Sequence, residues 1–253
     1  MANTQHLALL KKGAVTWIEW RNLNPNLEPD LSEANLAESN LRGAYLGRSN
    51  LFKTDLFKAK LITANLAESN LSLANLAGAQ LLDTKLVKAN LTGANLRGAD
   101  LRGADLSGAN LIGADISGAI LQQTDLGDAN LIGAAMFRVN AIGVNLNHAN
   151  LSQANLNQAE LIEAHFYAAN FSKANLGEAH FTGAYLFRAN LCFADLSAAD
   201  FRWTNLGKAD LRGANLTGAN LRGANLAGAN LGGAHLKETI MPDGSIVSSS
   251  VSS

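Results

Sequence analysis

From Leu31 to Leu236 a large apolar residue returns at every fifth position, and a small residue, usually Ala, follows it three places later. Leu91 to Ala119 shows the beat plainly: LTGAN LRGAD LRGAD LSGAN LIGAD ISGA. Forty-two such units run without insertion or deletion. On an α-helix five residues advance about 500°, so the apolar positions would spiral and form no stripe. On a flat strand an odd spacing throws successive apolar residues to opposite faces. They point one way only if the chain turns once per unit. Each unit is then a very short strand plus a corner, and the whole is a solenoid.

The residue before each central apolar position indicates how many units close a coil. At steps of twenty these residues are Asn50, Asn70, Asn90, Asn110, Asn130, Asn150, Asn170, Asn190, Asp210 and Asn230. In the other three registers taken together fewer than half of the equivalent sites are Asn. Positions twenty apart therefore share an environment, and the coil has four sides. Side-chain amides stacked this way can bond to one another up a structural ladder. The plainer account, that Asn suits a corner, explains its presence but not its concentration on one side.

The motif A(D/N)LXX, as in Ala94-Asn95-Leu96-Arg97-Gly98, resembles the pentapeptide-repeat proteins over residues 31–240. The resemblance implies a right-handed quadrilateral β-helix, hence an all-β solenoid. Four units per coil give about ten coils and, at roughly 4.8 Å per stacked strand, a rod about 50 Å long. It also implies a protein without enzymatic activity, since many members have no known biochemical activity. The entry LLKKG…W..W…P…PDL resembles cyanobacterial members.

Three segments follow. Residues 1–30 are a capping entry segment, with a helix predicted over 4–21. Leu7, Leu10, Ala14, Trp17 and Ile18 share one face of it, Asn3 or Thr4 caps its start, and Pro25 and Pro29 end it. Its job is to cover the unpaired backbone and the ring of Leu at the solenoid end; binding a partner or a membrane surface is the alternative. Residues 31–240 are the solenoid. Its centres depart from Leu at Ile116, Met136, Ala141, Phe166, Phe171, Phe181 and Phe201. Ala141 removes most of a core side chain, and Val139 and Val144 compensate by growing. Residues 241–253 are a turn, Met241 to Ser245, then Ile246-Val247 as a short returning strand, then a disordered tail.

Composition narrows the function. Lys and Arg balance Asp and Glu within the repeat, 17 against 17. A duplex-DNA mimic that regulates gyrase, the runner-up that the resemblance suggests, needs a dense field of one sign. No basic stripe with interleaved aromatics points to nucleic acid. Cys192 is the single cysteine, at an outward position, so no internal disulfide is possible. No signal peptide or membrane-length apolar run is seen, and a cytoplasmic protein is expected. The five histidines include no pair at the twenty-residue spacing of neighbouring coils. They read as isolated surface imidazoles. Asp105 and Asp125 share that spacing, but two carboxylates are too few for Ca²⁺, and Arg102 lies near to neutralise them. Arg48, Glu68 and Lys88 alternate in sign as a surface ion ladder. The expectation is no catalytic site, no cofactor and no metal.

The remaining signal is outward and apolar. Ile112, Ile132, Phe137, Ile142, Ile162, Tyr167, Phe187, Phe193 and Trp203 all point away from the axis, as do Phe52, Phe57 and Ile62 nearer the start. A contiguous patch between Ile112 and Trp203 would mark an interface. The sequence thus describes an interaction or scaffold rod, monomeric or weakly dimeric, with an unknown protein partner and no nucleic acid or membrane contact.

Overall fold

In the structure, a computed structural model, residues 1–248 are described; the predicted tail beyond them lies outside the described residues. The chain opens with α1 (Thr4–Lys11) and α2 (Ala14–Leu23), where the sequence predicted one helix over 4–21. The break is at Gly13, whose φ of +107° and ψ of 170° only a residue without Cβ adopts readily. Asn3 caps α1, its Oδ1 accepting from the N–H groups of Gln5 and His6 at 2.9 and 3.2 Å. The break turns Ile18 outward, to 38% exposure, contrary to its predicted place on the inner face, while Leu10 and Trp17 are buried.

This helical pair covers the start of the solenoid. Asn3 donates its N–H to the Asp30 carbonyl at 3.0 Å, and the Asp30 N–H is met by His6 Nδ1 at 3.0 Å. Trp17 is fully buried and donates its indole N–H to the Tyr45 carbonyl at 2.8 Å. Buried Arg21 reaches the carbonyls of Leu27 and Gly47, and its guanidinium lies over the Tyr45 ring.

From Asp30 to Asn220 every fifth residue forms a parallel bridge with the residue twenty later, as in Asn90 with Asn110. Four ladders result. The first side carries centres such as Leu111 and Leu131. The second carries Ile116 and Met136, the third Leu121 and Ala141, and the fourth Leu126 and Leu146.

Backbone hydrogen bonds account for the five-residue unit. In the pentad from Leu91, the Leu91 N–H donates to Asn110 O at 2.7 Å and the Gly93 N–H to Ile112 O at 2.9 Å, both one coil on. Ala94 N–H closes the turn on Leu91 O, and Asn95 N–H reaches back to Ala74 O, each at 2.9 Å. One donor is left, the N–H of the residue after the centre. The side chain before the centre caps it: Thr92 N–H donates to Asn90 Oδ1 at 3.1 Å. This Asx turn is the physical reason that Asn or Asp precedes the centre. The second residue after the centre sits at positive φ, for example +64° at Gly93, which explains the glycines there.

Centres and small residues together fill the axis. Met136, Val139, Ala141 and Val144 are all fully buried. Phe166 lies 5.1 Å from Phe171 and 5.8 Å from Phe181, ring centre to ring centre, and Phe181 stacks on Phe201 at 4.7 Å. Where Thr replaces Ala, its hydroxyl donates to the carbonyl of a centre one coil earlier, as Thr124 does to Leu101 O at 2.8 Å. At the far end Ile246 pairs antiparallel with Ile240, so the chain doubles back on its last coil.

Candidate interaction surface

The nine outward apolar residues do not form one patch. Ile112, Ile132 and Phe193 lie on the first side, Phe137 on the second, Ile142, Ile162 and Trp203 on the third, and Tyr167 and Phe187 on the fourth. Each pentad moves the chain to the next side, so nearness in sequence scatters residues around the rod. Only residues twenty apart are neighbours. Tyr167 and Phe187 stack with ring centres 6.3 Å apart and planes 9° from parallel. Trp203, Phe193 and Tyr167 are 70%, 66% and 39% exposed, and the other six are half-buried.

Large outward side chains fold over a glycine one coil on. A Cβ built on Gly223 would come within 2.4 Å of the Trp203 ring, and one on Gly213 within 2.6 Å of Phe193. Tyr185, 51% exposed and absent from the sequence reading, stacks on His165 with ring centres 5.1 Å apart.

The Asn column of the first side is bridged along its length. Its amides bond directly from Asn50 through Asn70 to Asn90, at 3.4 Å each, and from Asn150 through Asn170 to Asn190, at 3.2 and 3.1 Å. Among the described residues no such bond joins Asn110 or Asn130 to a neighbour in the column. Their Oδ1 atoms instead accept only the N–H groups of Ile112 and Ile132. The structure gives no evident cause for this gap.

The third side differs from the rest. On the first side every cap position from Asp30 to Asn230 is Asn or Asp, and each caps its amide. On the third side the cap positions include Lys60, Gln80, Ile120, Glu160 and His180. The N–H groups of Gln122, Ile142, Ile162 and Thr182, on four successive coils, have no protein acceptor among the described residues. Asn140 has the right side chain but does not cap Ile142, and its Oδ1 is buried without a hydrogen-bond partner. This replacement of caps was readable in the sequence, as the register poorest in Asn and Asp. The fourth side shows how a lost cap can be repaired: His165 cannot cap Tyr167, so Asn147 of the preceding coil does, at 2.7 Å.

Charged groups pair locally. Arg102 forks onto Asp100 at 2.8 and 2.6 Å rather than neutralising Asp105 and Asp125, because residues two apart straddle the same corner. Asp105 is held by Ser107, and Asp125 accepts from Asn145. Arg212 forks onto Asp210 and holds that carboxyl down at about 2, from an ordinary value near 3.8. Burial pushes the Asp200 carboxyl upward, but its bonds with Arg202 prevail and lower it. Arg48 pairs with Glu28 at 3.1 Å, and among the described residues no ion pair joins Arg48 to Glu68 or Glu68 to Lys88. His180 meets Glu160 at 3.0 Å, one coil away, so it is not an isolated imidazole. Cys192 occupies an outward position yet is only 8% exposed, with the Arg212 guanidinium 3.8 Å from its sulfur; burial pushes its thiol pKa up. Among the described residues no group of three or more His, Cys, Asp or Glu is placed to hold a metal ion. No helix there is long and apolar enough to cross a membrane.

The pentapeptide-repeat family model matches eight copies, in stretches running from residue 30 to residue 241. Among solved structures, HetL, a pentapeptide-repeat protein involved in heterocyst differentiation regulation from the cyanobacterium Nostoc sp. strain PCC 7120, is 35% identical. That match covers 91% of this chain and 98% of HetL, with a TM-score of 0.38. Rfr23 from the cyanobacterium Cyanothece 51142 is 33% identical over 44% of this chain and 87% of its own, with a TM-score of 0.40. QnrB1, a plasmid-mediated fluoroquinolone resistance protein, is 21% identical over 61% of this chain and 84% of its own, with a TM-score of 0.43. No curated protein sequence matches. The repeat match along the whole solenoid establishes that the chain belongs to the pentapeptide-repeat family.

Proposed function

We propose that the chain is a non-enzymatic rod that binds another protein, and that its third side is the binding surface. The observation that carries this is the run of missing caps on the third side, four coils in succession, where the other sides among the described residues lose them only singly. A backbone hydrogen bond contributes about 0.5–1.5 kcal/mol net. The first side keeps every one, whereas the third gives up four in succession beside the half-buried Ile142 and Ile162. A local rule broken on coil after coil along one side is expected at a functional site. Apolar side chains edged by free donors suit a protein interface, where hydrogen bonds accompany buried apolar area. The balanced charge of the repeat gives a duplex mimic no field of one sign. The right-handed winding that family membership implies does not bear on this choice.

Affinity capture from the source organism tests the reading. The intact protein is compared with an Ile142→Arg/Ile162→Arg variant of the third side and an Ile112→Arg/Ile132→Arg variant of the first. Arg already occupies the equivalent position at Arg102, Arg202 and Arg222, so the fold tolerates it. A partner is expected to be lost with the third-side variant and retained with the first-side one. Identical captured proteins from all three would sink the proposal.

A further inference from the structure

On the third side the second position after the centre runs Gly103, Gln123, Gly143, Glu163, Gly183, Trp203. A glycine alternates with a larger residue, coil by coil. The result is a notched column with two hollows, one along Gln123, Gly143 and Glu163 and one along Glu163, Gly183 and Trp203. Nothing lies within 4 Å of a Cβ built on Gly143, and the nearest atom to one on Gly183 is Glu163 Cγ at 3.6 Å. Both notches are therefore open, unlike Gly103 and Gly223, which the Asp83 and Trp203 side chains overlie. Glu163 stands exposed between the two hollows and forms no ion pair among the described residues.

The notch spacing selects among possible occupants. Two coils separate Gly143 from Gly183, about 9.6 Å at about 4.8 Å per strand. A strand laid along the axis presents same-face side chains about 6.8 or 13.6 Å apart, and misses by about 3 Å or more. A helix laid the same way places residues i and i+7 on one face about 10.5 Å apart, within about 1 Å of the notches. Residues i+3 and i+4 of that helix fall between the two, over Glu163.

We propose that the third side receives an amphipathic α-helix of a partner protein, lying along the rod. Large apolar side chains seven residues apart fill the notches at Gly143 and Gly183, and a basic residue between them meets Glu163. Ile142 and Ile162 supply the apolar floor. Trp203 closes one end, with its exposed ring available to a side chain of the helix, apolar or cationic. This inference rests on the reading of the chain as a protein-binding rod, and adds the chemistry of the partner.

Three labelled synthetic helical peptides and the full chain test it, by fluorescence anisotropy. The first peptide carries two Phe anchors seven apart with Lys at the third and fourth positions after the first anchor. The second has the same composition with the anchors five apart. The third replaces the Lys residues with Glu. The protein is used as wild type, as Glu163→Lys, and as Lys173→Glu on the first side. Lys stands at the same corner position, at positive φ, in Lys53, Lys58 and Lys88, so Glu163→Lys keeps the fold. The first peptide is expected to bind about tenfold tighter than the other two. Glu163→Lys reverses the preference between the first and third peptides, and Lys173→Glu leaves it unchanged. No binding, equal binding by all three peptides, or indifference to Glu163→Lys overturns the helix proposal. If capture from the source organism still depends on Ile142 and Ile162 in that case, the rod reading stands without the helix.

Discussion

One backbone donor per pentad escapes both the ladder and the turn, and a single side chain decides whether it is met. At Asn90 the Oδ1 accepts the Thr92 N–H and hydroxyl, while its Nδ2 donates to Asn70 Oδ1 in the ladder. Asn90→Ala is expected to lower stability by about 1–2 kcal/mol, the range for losing a cap. At Ile120 the reverse holds, since the Gln122 N–H has no protein acceptor: Ile120→Asn is expected to raise stability by about 0.5–1.5 kcal/mol. Urea midpoints of the two variants check this, and a loss at Ile120→Asn would refute the cap account. The corner glycines are not equivalent either. Gly133→Ala meets nothing within 4 Å and carries only the backbone cost of its positive φ, about 1 kcal/mol. Gly223→Ala meets the Trp203 ring at 2.4 Å as well, so it is expected to destabilise more, and the excess should vanish in a Trp203→Ala background. Equal effects at Gly133 and Gly223 would show that the ring moves aside at no cost. The Asp210 carboxyl, held at about 2 in the fold, has the opposite dependence to a histidine. Its contribution is complete above its ordinary value near 3.8 and is lost as pH falls through about 2. Asp210→Asn is therefore expected to be less stable than wild type at pH 6, with the gap closing toward pH 2. Thermal midpoints at the two pH values decide it, and a gap of the same size at both would exclude this origin.

The solenoid element was legible in the sequence because one rule governs it: apolar every five, small three later, Asn or Asp before the centre. That rule fixes the turn, the ladder and the capped amide together, and the twenty-residue Asn column gave the number of sides. The N-terminal element was less legible. Its apolar spacing continues through Lys12 and Gly13, so periodicity joined two helices into one, and only the backbone at Gly13 separates them. The bonds that seat the pair on the rod are long-range and leave no local pattern: Trp17 to Tyr45, Arg21 to Gly47, His6 to Asp30. Trp17 is the anchor. Trp17→Ala removes a fully buried ring and is expected to cost about 3–5 kcal/mol at that end. Because each coil touches only its neighbours, the loss should stay local. Hydrogen exchange is expected to quicken at Leu31 and Leu46 while Leu131 and Leu151 keep their protection. Uniform loss along the chain would show one cooperative unit instead.

At the scale of the molecule, the four sides explain why the candidate site was only partly readable. Apolar outward residues were found one by one, but their grouping depends on which side each occupies. Ile142, Ile162 and Trp203 share a side, whereas Phe137, only five residues before Ile142, does not. The missing caps and alternating glycines that single out the third side appear only when the sequence is folded into columns of twenty. The same stacking makes the two ends unequal. The start is covered by α1 and α2, while the returning strand at Ile246 pairs only with the stretch near Ile240. In the last coil Leu226, Leu231 and Leu236 are half-exposed. Their N–H groups, and those of Gly228 and Gly233, have no backbone acceptor among the described residues, whereas Leu206 one coil below donates to Asn225 O at 2.9 Å. An unpaired donor exchanges with solvent without any opening of the structure, whereas a paired one must wait for its coil to open. Native-state hydrogen exchange is therefore expected to find those five amides near unprotected rates, Leu206 and Leu211 slower, and Leu111 and Leu131 slowest. Strong protection at Leu226 and Leu231 in the isolated protein would mean that the last coil is covered and that the open end does not exist in solution.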